Sequence, residues 1–115
     1  MKLFHAGDFW SAEEAFEWAA RLDPGNAEYI FRRGLNLSRM PRRGHDAEKS
    51  LARAIEMAPS NIGYYLELGK FYGRLSLKAK AQAVFQEALK QDPHADLIRD
   101  TMGKVREESV ARDKK

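Results

Sequence analysis

Residues Tyr65 to Pro93 read YLELGKFYGRLSLKAKAQAVFQEALKQDP. Ala81, Phe85 and Ala88 recur at spacings of four and three, which places them on one face of an α-helix. Two of those three residues are small, so a neighbouring helix can approach that face closely. Pro93 closes the segment, because proline is tolerated in the first turn of a helix but not in its interior. Upstream, Tyr65, Leu68, Gly69 and Tyr72 share a second helical face. Glycine inside a helix costs up to about 1 kcal/mol relative to alanine. Gly69 therefore signals a facing helix that leaves no room for a side chain. The stretch reads as helix, turn, helix.

The same text occurs before it and continues after it. Pro24, Pro59 and Pro93 lie 35 and 34 residues apart, and ten residues after each comes Gly34, Gly69 or Gly103. Twelve residues before each proline stands Ala12, Ala47 or Ala81; eight before, Phe16, Leu51 or Phe85; five before, Ala19, Ala54 or Ala88. A period near 34 residues is the mark of stacked helical repeats. The pattern predicts helices over residues 9–22, 27–39, 46–57, 61–74, 78–91 and 95–110. Asn26 and Asn61 are the expected N-caps of the second and fourth. Pro41 and Gly44 are expected turn residues between the second and third, in the turn that makes the first period one residue longer. From Glu107 onward the chain is wholly polar apart from Val110 and Ala111, and fraying is expected there.

Composition agrees with an all-α reading. Among 115 residues, alanine is commonest with 16, whereas Val, Ile and Thr total only 8. That argues against a β-sandwich or barrel. An apolar content of 43% argues against disorder. Twenty Lys and Arg against 17 Asp and Glu give a net charge of +3, too modest to predict nucleic-acid binding by itself. With no cysteine, the chain has no disulfide and no thiolate chemistry. No uncharged run approaches the roughly 18 residues of a membrane span. The residues before Phe9 lack the apolar stretch of a signal peptide, so a cytoplasmic protein is expected.

These residues resemble the tetratricopeptide repeat family. Tyr65, Leu68, Gly69, Tyr72, Ala81, Phe85, Ala88 and Pro93 follow the pattern W-x2-L-G-x2-Y…A-x3-F…P, with Tyr in place of the Trp. The preceding copy keeps Gly34, Ala47, Leu51, Ala54 and Pro59, but carries Ile30 and Leu37 for aromatics and Arg33 where the pattern has Leu. The first copy retains only its second helix, with Ala12, Phe16, Ala19 and Pro24. In the last helix Gly103 is in register, while Arg99 and Arg106 replace large apolar residues, as suits a capping helix with one wet side. The resemblance implies an all-α solenoid, a right-handed superhelix of antiparallel helix pairs. It also implies one domain over 1–110: a partial repeat at 1–26, repeats at 27–60 and 61–94, a capping helix at 95–110, and a frayed tail at 111–115. Because the text begins inside a repeat, a fragment of a longer protein is expected.

Chemistry of catalysis has little footing. His5, His45 and His94 are scattered and none has a second ligand at metal-binding spacing. Glu13, Glu14 and Glu17 lie early in a helix, where acids complement its dipole. Ser11 and Ser50 have no histidine placed to activate them. The glycines are dispersed rather than gathered into a phosphate loop. No enzyme activity, cofactor or metal is expected.

Binding is the better-supported expectation. Family members line a concave groove with the first helix of each repeat and receive a peptide or partner helix there. Ile30, Gly34, Leu37, Tyr65, Leu68, Gly69 and Tyr72 are then core. The expected groove residues are Phe31, Arg32, Leu35, Ser38, Arg39, Leu66, Lys70, Gly73 and Arg74, with Glu67 at the rim. That face is part apolar and mostly basic, and suits an acidic protein or peptide partner with apolar side chains. Some family members clamp a terminal carboxylate with a Lys and Asn set; Phe31, Leu35 and Leu66 occupy several of those positions, and that activity is not carried over. Trp10 and Trp18, flanking Glu14, fall off the core face of their helix and mark a second contact surface. Two alternatives follow: a homo-oligomer formed through the tryptophans, and single-stranded RNA bound at Arg32, Arg33, Arg39, Arg42 and Arg43. Few aromatics interleave with those arginines, so a solvated face is the stronger reading of that cluster.

Overall fold

The computed structural model of the chain describes residues 8–113, with side-chain surroundings for residues 12–106. It consists of α1 (Asp8–Leu22), α2 (Ala27–Leu37), α3 (Gly44–Met57), α4 (Ile62–Arg74), α5 (Lys78–Gln91) and α6 (Asp96–Asp113), with no strand among the described residues. The helices fall into two compact units, Met1–Ala58 and Pro59–Lys115.

In the first unit α2 packs chiefly on α3, and α1 packs on α2. Leu37, Ala47, Leu51 and Ala54 are fully buried, joined by Ala12 and Met40. Gly34 does what the repeat implies: a Cβ there would come within 2.8 Å of Leu51 Cδ2 and 3.1 Å of the Leu51 backbone nitrogen. Asn26 caps α2 by accepting hydrogen bonds from the Glu28 and Tyr29 amides at 3.0 and 3.4 Å.

The other unit packs α4 on α5, with α6 against both. Leu68, Phe85, Ala81, Ala88 and Ile98 are buried, with Tyr65 and Tyr72. Gly69 faces the Phe85 ring so closely that a Cβ would overlap it. The Tyr65 hydroxyl donates to the Pro59 carbonyl at 2.8 Å, tying α4 to the turn before it. Burial, and secondarily the Glu87 carboxylate, push that phenol above its ordinary pKa. The turn into α5 is a Schellman ending: the Leu77 amide donates to the Tyr72 carbonyl at 2.9 Å and the Ser76 amide to Gly73 at 3.0 Å. Ser76 sits at its left-handed position with φ 60°.

Several expectations need correction. Gly44 is the first residue of α3 rather than a turn residue; Arg43 precedes it, its Nε donating to Asp46 Oδ2 at 2.8 Å. The left-handed residue of that turn is Arg42, φ 64°. The α2 helix ends at Leu37, so Ser38 and Arg39 lie in the turn beyond it. Asn61 has extended cap geometry but makes no side-chain cap bond; its carbonyl accepts from the Tyr64 amide instead. The α6 helix runs to Asp113, through the segment expected to fray from Glu107. Gly103 is in register yet meets nothing within 4 Å, so close packing does not explain it. Ile30, expected in the core, is half-buried, and so are Phe16 and Ala19, which occupy the repeat columns of the buried Phe85 and Ala88. Tyr64 and Phe71, absent from the expected core, are buried.

Candidate partner-binding clefts

In the second unit α4 and α6 lie side by side because Gly73 carries no side chain. A Cβ there would meet Val105 Cγ2 of α6 at 3.1 Å. Above this contact opens a cleft of about 260 Å³, lined by Lys70, Gly73, Arg74, Thr101, Lys104 and Val105. Gly73 and Val105 form an apolar floor and three cations form the rim. Lys70 Nζ is 3.5 Å from Glu67 Oε1. Among the described residues no acid pairs with Arg74 or Lys104, and no carboxylate lines the cleft. The Thr101 hydroxyl donates to the Leu97 carbonyl at 2.8 Å, so its proton is committed within α6.

The first unit has a smaller counterpart of about 180 Å³, lined by Phe16, Arg32, Leu35, Asn36 and Arg39. Phe16 contributes its half-buried ring to this cleft, which is why it is not core. Arg32 Nε lies 3.0 Å from Glu28 Oε1, which leaves Arg39 as the cation without a described acid partner.

Six of the nine groove residues expected from sequence therefore line a cleft: Arg32, Leu35 and Arg39 in one unit, Lys70, Gly73 and Arg74 in the other. Phe31, Ser38 and Leu66 are half-buried and line neither. Sequence reasoning passed over Phe16 and Asn36, and over Thr101, Lys104 and Val105 of α6. The signal for one was present. Leu35, Lys70 and Lys104 each follow a repeat glycine, and all three line a cleft.

The expected aromatic contact face is described in part. Trp18 is 57% exposed with the Arg21 guanidinium 5.8 Å from its ring centroid, and Glu14 is exposed. The Trp10 side chain lies outside the described surroundings. The arginine cluster is less free than its sequence suggests. Arg33 Nη2 lies 2.6 Å from Glu13 Oε1, a contact that joins α2 to α1. Glu13 is only 7% exposed, so it is not the dipole-facing surface acid expected of it. This pair explains why Arg33 stands where the repeat pattern has Leu. The hydrogen bond that Arg33 donates to Glu13 holds its guanidinium above its ordinary pKa. Arg43 adds a longer contact to Glu13 at 3.9 Å.

No group of three His, Cys, Asp or Glu residues among those described could hold a metal ion. No described helix is long and apolar enough to cross a membrane.

Helix pairs that recur with a 34-residue period, each locked by a bare glycine against a large apolar residue, define an all-α helical-repeat protein. Residues 62–94 match the sequence profile of the tetratricopeptide repeat. Its fold is similar to that of the TPR domain of Arabidopsis OM64, with a TM-score of 0.71 and 22% identity over 90% of this chain and 84% of that one. It is also similar to the crystal structure of MamA, with a TM-score of 0.65 and 24% identity over 92% of this chain and 69% of that one. No curated protein matches the sequence. Repeats of this family are typically non-enzymatic protein-interaction modules.

Proposed function

We propose that this chain is a non-enzymatic protein-interaction module that captures an acidic segment bearing apolar side chains. The observation that carries this reading is the make-up of the two clefts. Each joins apolar and cationic side chains, and among the described residues no carboxylate lines either one. Such a surface favours a ligand that pairs leucine-like side chains with glutamate or aspartate. The apolar part supplies contact area and the charges supply orientation and encounter rate.

The test uses a fluorescein-labelled peptide of alternating leucine and glutamate pairs, read by anisotropy. Lys70→Glu with Arg74→Glu reverses two exposed charges and leaves the buried residues untouched. Circular dichroism should stay unchanged while affinity falls by about tenfold or more, since each tenfold is only about 1.4 kcal/mol. Equal affinity in the double variant, or no binding to the unaltered chain at millimolar peptide, overturns the acidic-segment reading.

A self-association reading has one observation in its favour: Trp18 and Leu22 are 57% and 81% exposed on α1. Sedimentation at rising concentration tests it, and a constant monomer mass removes it. The RNA reading is weakened, because Arg32, Arg33 and Arg43 are each engaged with an acid.

A further inference from the structure

We propose that the cleft between α4 and α6 receives a phosphorylated serine or threonine side chain carried by the partner segment. The proposal rests on the interaction-module reading and names the group that this one cleft selects.

Charge comes first. Lys70, Arg74 and Lys104 bring three positive charges to one cleft, and Glu67 at 3.5 Å from Lys70 offsets one of them. Among the described residues about two of these charges have no acid partner. A single glutamate or aspartate of the ligand would answer only one. A phosphate monoester carries about −1.5 to −2 charges near neutral pH and answers both.

The donors fit the same group. Arg74 presents a planar fork that can grip two phosphate oxygens at once, and the two lysines act as adjustable point charges. A dianion with three acceptor oxygens needs donors and is repelled by a facing carboxylate. Among the described residues no carboxylate lines the wall.

Shape follows. The floor of Gly73 and Val105 is bare and apolar, suited to the Cβ of a phosphoserine or the methyl of a phosphothreonine. A volume of about 260 Å³ holds a tetrahedral anion with its short stem and room for bound water, each water taking about 30 Å³. The cleft of the first unit does not qualify. Its Arg32 is held by Glu28, and Arg39 alone cannot balance a dianion.

The experiment compares two acetylated, amidated pentapeptides, Ala-Leu-phosphoSer-Leu-Ala and Ala-Leu-Glu-Leu-Ala, by amide chemical-shift titration of the full chain. The phosphopeptide is expected to shift the Gly73, Thr101 and Lys104 amides and to bind at least about tenfold more tightly than the glutamate peptide. Arg74→Ala and Lys104→Ala, both at exposed helix positions, should each remove most of that preference while the circular dichroism spectrum is retained. Equal affinity for the two peptides overturns the proposal. So does a Lys104→Ala variant that keeps the preference, or an oligothymidylate that displaces the phosphopeptide at equal concentration, which would give the cleft to a nucleic-acid backbone. If neither pentapeptide shifts these amides while the leucine–glutamate peptide still binds, this inference falls and the interaction reading stands. If that peptide also fails, both fall.

Discussion

Alanine placed at Gly34, Gly69 and Gly103, which share one register of the repeat, should change stability in opposite directions. Inside a helix alanine is favoured over glycine by about 1 kcal/mol. At Gly103 nothing lies within 4 Å of the new methyl, so Gly103→Ala should stabilise by up to that amount. At Gly34 the methyl would sit 2.8 Å from Leu51 Cδ2 and 3.1 Å from the Leu51 backbone nitrogen. Carbon atoms prefer about 3.5–4.0 Å. The leucine tip can swing away, but the backbone of α3 cannot. Gly69 is worse placed. Three atoms of the Phe85 ring are struck, one at 2.8 Å and two closer, and the ring is fully buried with no free end to turn. Overpacking costs about 1–3 kcal/mol, and the rigid ring puts Gly69→Ala at the upper end. After the helix-propensity gain, the net loss should be about 2 kcal/mol at Gly69 and about 1 kcal/mol at Gly34. One chemical change thus spans about 3 kcal/mol across three matched positions. Urea denaturation followed by far-UV circular dichroism measures it. The packing argument is refuted if all three variants shift the midpoint the same way, or if Gly69→Ala stabilises.

Glu13→Gln or Arg33→Leu alone should destabilise by about 1–2 kcal/mol, because each leaves a charged partner shielded from water. Glu13→Leu combined with Arg33→Leu should cost less than either single change, and the same urea series checks this; additive losses would show that the pair acts through separate contacts. Acid sensitivity should trace in part to Asp46. The hydrogen bond from Arg43 holds its carboxyl below the ordinary carboxylate range. With the folded pKa depressed, the stabilisation is full above the unfolded value near 4 and is lost as pH falls through the folded value. Asp46→Asn should therefore flatten the stability profile below about pH 4 and leave its shape near neutrality unchanged; an unchanged acid limb would contradict the assignment.

The helices themselves were legible because their signals are local. The four-and-three spacing of Ala81, Phe85 and Ala88, the proline ending and the glycine register placed most ends of the six helices within about two residues. The exceptions have local causes of their own. Gly44 joined α3 because the side chain of Arg43 reaches Asp46 across the first turn. The polar end of α6 stays helical to Asp113, since Glu, Arg and Lys lose little freedom in a helix. Of the clefts, the residues on α2 and α4, and Arg39 just beyond α2, could be read from the phase of the repeat. On α6 only Lys104 could, since it follows the repeat glycine Gly103; nothing in the text of α6 states that Thr101 and Val105 lie on the side that meets α4.

The sequence by itself determined the repeat, the helix pairs and the glycines that let two of those pairs close. Each of these depends on residues a few turns apart, or on a column repeated at a fixed period. Tertiary structure decided the rest. It showed that Arg33 departs from the pattern to meet Glu13, twenty residues away on another helix. It showed that Gly103 keeps the register without the contact, and it placed Lys104 beside Lys70 and Arg74. Charge pairing and cleft formation depend on which faces of two helices meet, and that is fixed by packing rather than by either helix alone.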